Sequence, residues 1–259
     1  MPSSDTPSRL IIRQGEPFTP KEQESAAQIL RDGFWNCASP IVRFRAYNDH
    51  QALLELMRTR VKAAVPVGGL VLSFLSASSS DDRAPAGHGK DPVNKGGGDK
   101  GYGQMVGAVL ISLPGEGFTQ LQKNYGDVKS EEDAAQPSRV DETDIQRRSR
   151  LWVEQDLVPW FNDFSNRSLG PGGLENSLYI SLFAVRRDYQ GKGLGRDTMN
   201  PVMRWGDEKR WGMTLFDHEP ELVKFYSSFG FEEVGRETRP CNGQDVTWWA
   251  MRRAKRIVA

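Results

Sequence analysis

The sequence has little cysteine or histidine: two of the first, Cys37 and Cys241, and three of the second, His50, His88 and His218, in 259 residues. Two cysteines cannot build a disulfide framework, and neither stands at metal-ligand spacing from a histidine. A disulfide-stapled secreted scaffold and a structural metal site are therefore both set aside, and no metal is expected. Net charge is lacking too: 34 Lys and Arg balance 34 Asp and Glu, which leaves no global field to draw the chain to nucleic acid or to an anionic membrane. No run of roughly eighteen apolar residues occurs, and the opening MPSSDTPSRL has no apolar signal core, so a reduced, cytoplasmic chain is expected. The basic cluster Arg252, Arg253, Lys255 and Arg256 reads as a solvated terminus. Hydrophobic residues make up only 37% of the chain, which points to sizeable polar loops on one packed domain.

Against this background stands the stretch Leu178 to Gly195, LYISLFAVRRDYQGKGLG. An apolar run reads as a buried strand through Val185, a charged turn follows at Arg186, Arg187 and Asp188, and three glycines come at alternate positions, Gly191, Gly193 and Gly195. A helix is expected after them. A strand that empties through a glycine loop into a helix aims backbone N–H groups and the positive helix end at one point, which suits an anion such as a phosphate. A β-carbon there would hold ligand oxygens off the backbone. Lys192 and Arg196 add positive charge at the same mouth. A dinucleotide fingerprint would need glycine where Thr198 stands, and the P-loop pattern is absent.

Along the chain, residues 1–9 read as a loose tail and 10–259 as one domain. Leu10 to Arg13 is a first strand. Thr19 caps a helix from about Lys21 to Trp35, with Pro20 at its first position. A second helix is expected from about Asp49 to Ala64, then strands over Leu70 to Leu75 and Gln104 to Leu113 that pair with each other. Between them an insertion at about 76–103 is too polar to repay its ordering entropy. A second insertion, at about 114–176, begins acidic and ends aromatic, with Trp152, Trp160, Phe161 and Phe164, and Pro159 is expected to break or kink its helix. After Gly195 a helix reaches about Arg210 with Pro201 inside it. A short strand over Met213 to Phe216, a helix over Pro220 to Phe229 ended by Gly230, and two antiparallel strands, Phe231 to Val234 and Val246 to Met251, complete the chain. A loop containing Pro240 and Gly243 joins the last two.

Gln190, Gly193 and Gly195 match the Q/R-x-x-G-x-G/A signature of the GCN5-related N-acetyltransferase (GNAT) superfamily, which this stretch resembles. Tyr226, Gly230 and Phe231 match its Tyr-x-x-x-Gly-Phe motif about thirty residues on. The resemblance is specific from about Leu178 to Val234 and architectural before that. It implies the α/β (α+β) GNAT fold, a twisted mixed β-sheet of about seven strands flanked by helices, here with two long insertions.

The resemblance also implies acetyl-CoA as co-substrate. Its pyrophosphate would sit on the backbone of Gln190, Gly191, Lys192, Gly193, Leu194 and Gly195, helped by Arg196, and its pantetheine arm would pair like an added strand with Phe183, Ala184 and Val185. The central strand and the Met213 strand would splay to admit the thioester. Tyr226 stands where the family places its general acid. The base is open among His218, Glu154, Asp156, Asp163, Glu175, Asp217 and water. Glu219 departs from the asparagine or serine that many relatives carry near there. Aromatic residues of the second insertion, with Trp35 opposite and acids among them, suggest a pocket for a small-molecule amine. A protein or peptide amine is the alternative acceptor, and a non-catalytic acyl-CoA-binding module the alternative class. Oligomeric state is left open.

Overall fold

The computed structural model describes residues 10–14, 17–37, 39–76, 102–115, 117, 123 and 142–255. The expected tail, nearly all of the first insertion and most of the acidic first half of the second lie outside the described residues.

Seven strands form one sheet: β1 (Leu10–Gln14), β2 (Leu70–Ser76), β3 (Tyr102–Ser112), β4 (Ser177–Val185), β5 (Gly212–Asp217), β6 (Glu232–Cys241) and β7 (Gln244–Arg253). Their spatial order is β1-β2-β3-β4-β5-β7-β6. All neighbours are antiparallel except β4 and β5. On one face α1 (Pro20–Trp35) and α3 (His50–Ala64) cover Leu70, Leu72, Ala108 and Leu110. On the other, α6 (Leu194–Glu208) and α7 (Pro220–Ser227) cover Val71, Val109, Leu178, Ile180, Met213 and Leu215. Alternate residues of one strand thus feed two cores, as the period of a pleated strand requires.

Thr19 caps α1 as expected, and Glu22 completes a capping box by accepting from the Thr19 backbone N–H at 2.7 Å. Glu22 also accepts from Arg13 of β1, a buried pair that ties the helix to the sheet. Gly33 allows α1 to lie close on β4: a β-carbon there would be 2.7 Å from the Ala184 Cβ.

Sequence reasoning missed a short helix, α2 (Ile41–Arg45), which is too brief for a periodic signal. It also expected Pro159 to break or kink its helix. Instead α4 (Asp144–Leu151) runs through a π-helical turn (Trp152–Leu157) into α5 (Val158–Leu169). The Val158 N–H bonds the Val153 carbonyl, one residue beyond the α-helical partner, so a widened turn just before the proline accommodates its missing donor. Pro201 likewise sits inside α6 without ending it, held by the buried Met199, Val202 and Met203.

Strands β6 and β7 are longer than expected. Asn242 and Gly243, at φ 49° and 77°, form the turn of a tight hairpin in which Cys241 faces Gln244. Pro240 lies in β6 rather than in a loop, on the outermost strand of the sheet, where a missing N–H is tolerated. Arg253 is no part of a solvated terminus: it is buried, and its guanidinium bonds Asp207 through two nitrogens at 2.6 and 2.8 Å.

Candidate active site

The site begins where the sheet parts. Strands β4 and β5 pair only from Ser177 with Gly212 to Ile180 with Leu215. Beyond that, β4 continues to Val185 paired with β3, and β5 continues to Asp217 paired with β7. The register of β3 and β4 slips between Leu110 and Ile111, leaving Ser181 as an extra residue whose hydroxyl donates to the Leu110 carbonyl at 3.0 Å. Such a bulge bends its strand, and here the bend accompanies the parting of β4 from β5. The expected splay is present, and Ser181 is a contributor that sequence reasoning did not identify.

At its end β4 enters the glycine turn. The Gln190 side chain donates to the Val185 carbonyl at 2.9 Å and pins the turn to the strand. Gly191 and Gly193 have φ of 73° and 82°, which favours glycine, and a β-carbon built on either meets nothing within 4 Å, so the concave side of the turn is open. Gly193 is also the N-cap of α6 and supplies no side-chain cap. The first bond of the helix end runs from Asp197 N–H to the Gly193 carbonyl at 3.2 Å. The N–H groups of Leu194, Gly195 and Arg196 therefore face out of the helix end. The Leu194 side chain is buried against Val106 and Val185, so its offering to a ligand is its backbone.

The Lys192 ammonium lies 5.2 Å over the Tyr189 ring, and the Arg196 guanidinium 5.2 Å over the Phe229 ring with a bond to Ser228 Oγ at 3.0 Å. Neither has a carboxylate within ion-pair distance among the described residues. Arg196 also borders a groove of about 370 Å³ between α6 and the end of α7, with Asn200, Arg204, Ser228 and Gly230. The spacing of Arg196, Asn200 and Arg204, one helical turn apart, was the available signal for this stripe. Phe183 stacks on Phe225 at 5.9 Å, and Ala184 and Val185 are buried.

Across the gap, β5 ends in Asp217. It is buried, at 8% exposure, and on the alternation of Met213 and Leu215 it falls on the face covered by α7, where Tyr226 is also buried. Its Oδ1 accepts from the backbone N–H groups of His218 at 2.7 Å and Glu219 at 2.8 Å. Burial pushes the carboxyl up to about 7, partly opposed by those two bonds. Burial, with the charge of Asp217 added, holds the Tyr226 phenol protonated well above its ordinary range.

Of the expected bases, His218 has its Nδ1 buried without a hydrogen-bond partner among the described residues and its ring edge-on to Trp248 at 5.5 Å; burial lowers it to about 4. Glu219 is committed elsewhere, accepting from the Ser39 backbone N–H at 2.7 Å. The neighbouring Cys37 thiol is pushed up to about 11, by burial first and by Glu219 second, the opposite of an activated nucleophile. Among the described residues no cluster of three His, Cys, Asp or Glu could hold a metal.

The aromatic half of the second insertion packs over the sheet. Trp160 stacks on Phe164 at 5.1 Å, and Phe161 meets Phe216 at 4.7 Å. The space between Trp152, Trp160, Arg239 and Trp248 is only about 10 Å³, room for about one water. Trp35 is not opposite these rings in an open pocket; it lies edge-on to His50 of α3 at 4.9 Å.

A family profile described as the acetyltransferase (GNAT) domain matches residues 127–254. The chain belongs to the GNAT superfamily. No curated protein matches the sequence. Among solved structures, the C-terminal condensation domain of Ebony in complex with beta-alanyl-dopamine superposes with a TM-score of 0.55 at 10% identity, over 94% of this chain and 99% of that one. A Corynebacterium glutamicum structure described as histone acetyltransferase HPA2 and related acetyltransferase gives 0.49 at 12% identity, over 96% and 98%. Arabidopsis thaliana NAA60 in complex with a bisubstrate analogue gives 0.43 at 16%, over 94% and 97%. At these identities the likeness concerns the fold alone. The seven-stranded mixed sheet flanked by helices is the GNAT fold.

Proposed function

We propose that this GNAT protein is an acetyl-CoA-dependent N-acetyltransferase whose acceptor is the primary amine of a small molecule. The observation that carries the reading is the parting of β4 from β5 beside an open, uncapped helix end. Past Ile180 the edge of β4 that faces β5 has no strand partner among the described residues, so Phe183, Ala184 and Val185 offer backbone groups to the amide-bearing arm of the co-substrate, as an added strand would. The N–H groups from Gly191 to Arg196, with Lys192 and Arg196, take the pyrophosphate. The Arg196, Asn200 and Arg204 stripe takes the nucleotide end. A backbone N–H near Val185 polarises the thioester carbonyl as charge develops on its oxygen, and Tyr226 gives its proton to the leaving sulfur.

A small acceptor is favoured by the way the insertion is fastened. Trp160 Nε1 donates to Glu237 at 2.6 Å and Arg167 bonds the same carboxylate at 2.8 Å, so α5 lies across β6 and covers the face that a peptide groove would use. The Glu219 bond to Ser39 joins the end of β5 to the segment between α1 and α2. Among the described residues no helix is long and apolar enough to cross a membrane, and we place the reaction in the cytoplasm.

The test is acetyl-CoA-dependent thiol release over a panel of small amines and basic peptides, with CoA binding followed by calorimetry in the same preparation. Turnover on a small amine is expected. Turnover on peptides alone would overturn the acceptor assignment, and CoA binding without any transfer would overturn the enzyme.

A further inference from the structure

We propose that Asp217 is the general base of the transfer, taking the proton from the attacking amine on the β5 side of the gap, the side that also carries Tyr226. The proposal rests on the acetyltransferase reading above and selects one group from the several acids that the sequence offers.

Position comes first. Asp217 is two residues beyond Leu215, the last residue of β5 paired with β4, so it stands where the gap opens. It lies on the face of β5 that α7 covers with Tyr226. The other sequence candidates fall away on geometry. Glu154 pairs with Arg150 and Asp163 with Arg167, both on the insertion helices. Asp156 borders the one-water space beside Trp160. Glu175 precedes β4, at the opposite end of that strand from Val185. His218 points to the other face, against Trp248.

The state of the carboxylate comes second. One oxygen, Oδ1, is held by two backbone N–H groups, which fixes the group's orientation. Its other oxygen has no hydrogen-bond partner among the described residues, and no cation pairs with it there. A buried carboxylate without a cation is costly, and such groups concentrate at functional sites. The titratable groups around it are Glu219 and His218 on its own turn, Tyr226 on α7 and Cys37 on the segment after α1. None is a cation in the neutral range, so only the two backbone bonds oppose the effect of burial, which brings it to about 7, suited to a base at neutral pH.

The proton count closes. The amine nitrogen bonds the thioester carbonyl carbon and the carbon–sulfur bond breaks. The nitrogen gives one proton to Asp217 and the sulfur receives one from Tyr226. Asp217 then returns its proton to the Tyr226 phenolate, and the products are the amide and the free thiol. That return is downhill: burial first, and the charge of Asp217 second, raise the proton affinity of the phenol well above its ordinary range.

Asp217→Asn is the discriminating variant, because the amide oxygen still accepts the His218 and Glu219 N–H groups and only the basic oxygen is lost. With an amine of low basicity, neutral across the range, the wild-type kcat/KM should rise through an apparent pKa near 7. In the variant that limb should vanish and kcat should fall by about 100-fold or more, with CoA affinity unchanged by calorimetry. A variant that turns over at the wild-type rate with the same pH profile overturns the assignment and leaves the acetyltransferase reading intact. A wild type that binds CoA and acetylates no amine overturns both.

Discussion

The Asp217 carboxylate should weaken the fold it sits in, and Asp217→Asn should therefore yield a more stable protein at alkaline pH. The native carboxyl is pushed from 3.8 up to about 7 by burial. At about 1.36 kcal/mol per unit, holding it ionised at pH 8 costs the native state on the order of 4 kcal/mol. Asparagine removes that cost but buries an NH2 in place of an oxygen, an expense of about 1–3 kcal/mol if it finds no acceptor. The net gain expected at pH 8 is thus about 1–3 kcal/mol. At pH 4 the native carboxyl is protonated and the unfolded one is half so, and most of the gain is absent.

The sign follows from proton counts. Between 3.8 and about 7 the native state holds a proton at Asp217 that the unfolded state has released, so wild-type stability from this group falls as pH rises. His218 works in the other direction. Burial lowers it to about 4 from 6.5, so between those values the unfolded state binds the extra proton and stability rises with pH. The two effects largely offset each other in the wild type below 6.5, and its profile alone would be uninformative. Subtracting it from the variant's removes His218, whose shift comes from burial alone. Urea unfolding of both proteins at pH 4, 6 and 8 gives the difference directly. A difference that is flat across this range, or a wild type that is the more stable protein at pH 8, would refute the picture of a buried carboxylate without a compensating cation.

Tyr226→Phe should lower kcat by about 100-fold or more while CoA affinity stays near wild type, checked by steady-state kinetics beside calorimetry; an unchanged kcat removes Tyr226 as the acid. At Gly193, where φ is 82°, asparagine and aspartate both tolerate the backbone, but aspartate adds a negative charge to the helix end. Gly193→Asp should bind CoA about 10-fold more weakly than Gly193→Asn, with the gap closing at high salt; equal affinities would move the pyrophosphate elsewhere. A β-carbon on Gly195 meets only the Phe183 and Phe225 rings at 3.7–3.8 Å, so Gly195→Ala should fold with wild-type stability, and any loss of CoA binding measured by calorimetry is then steric at the ligand. Gly33→Val should destabilise by about 1–3 kcal/mol in urea unfolding, because the added carbon meets the Ala184 Cβ, which has no rotamer by which to retreat; full stability would mean that α1 does not press on β4.

What could be read from the sequence was what local chemistry decides. Thr19 followed by Pro20, the apolar spacing of α1 and α3, the apolar runs of β2 and β3, and the glycines after β4 each carry their own signal within a few residues, and each element stands within a residue or two of its expected place. The hairpin of β6 and β7 was also legible, since Asn242-Gly243 is the commonest tight-turn pair, but Pro240 drew attention to a loop that does not exist. The π-helical turn before Pro159 was not legible, because whether a proline breaks a helix or widens it depends on what holds the segment on either side. Nor was the base. Asp217, Asp163 and Glu154 are alike in sequence; the first lacks an ion-pair partner among the described residues because β5 carries it into the core, while the other two lie on insertion helices beside arginines at i+4 or i−4.

The two parallel strands explain why one edge of the sheet is chemically active. Because β4 and β5 run in the same direction, both reach the same edge, and each hands the chain to a helix there, β4 to α6 and β5 to α7. Both helices therefore present their N-terminal, positive ends near the point where the strands part. The chain treats these two ends differently. Before α7 the Asp217 carboxylate stands in the turn that leads into the helix, accepting from the N–H groups of His218 and of Glu219, the N-cap residue. At α6 the cap is Gly193, which has no side chain to offer, and the residues around it are Lys192 and Arg196. A negative group is thus built in at one end and left to be supplied at the other. An anionic co-substrate thus has a place to anchor at α6, and the carboxylate on β5, already fixed by two N–H groups of the turn before α7, has its second oxygen left for the incoming amine.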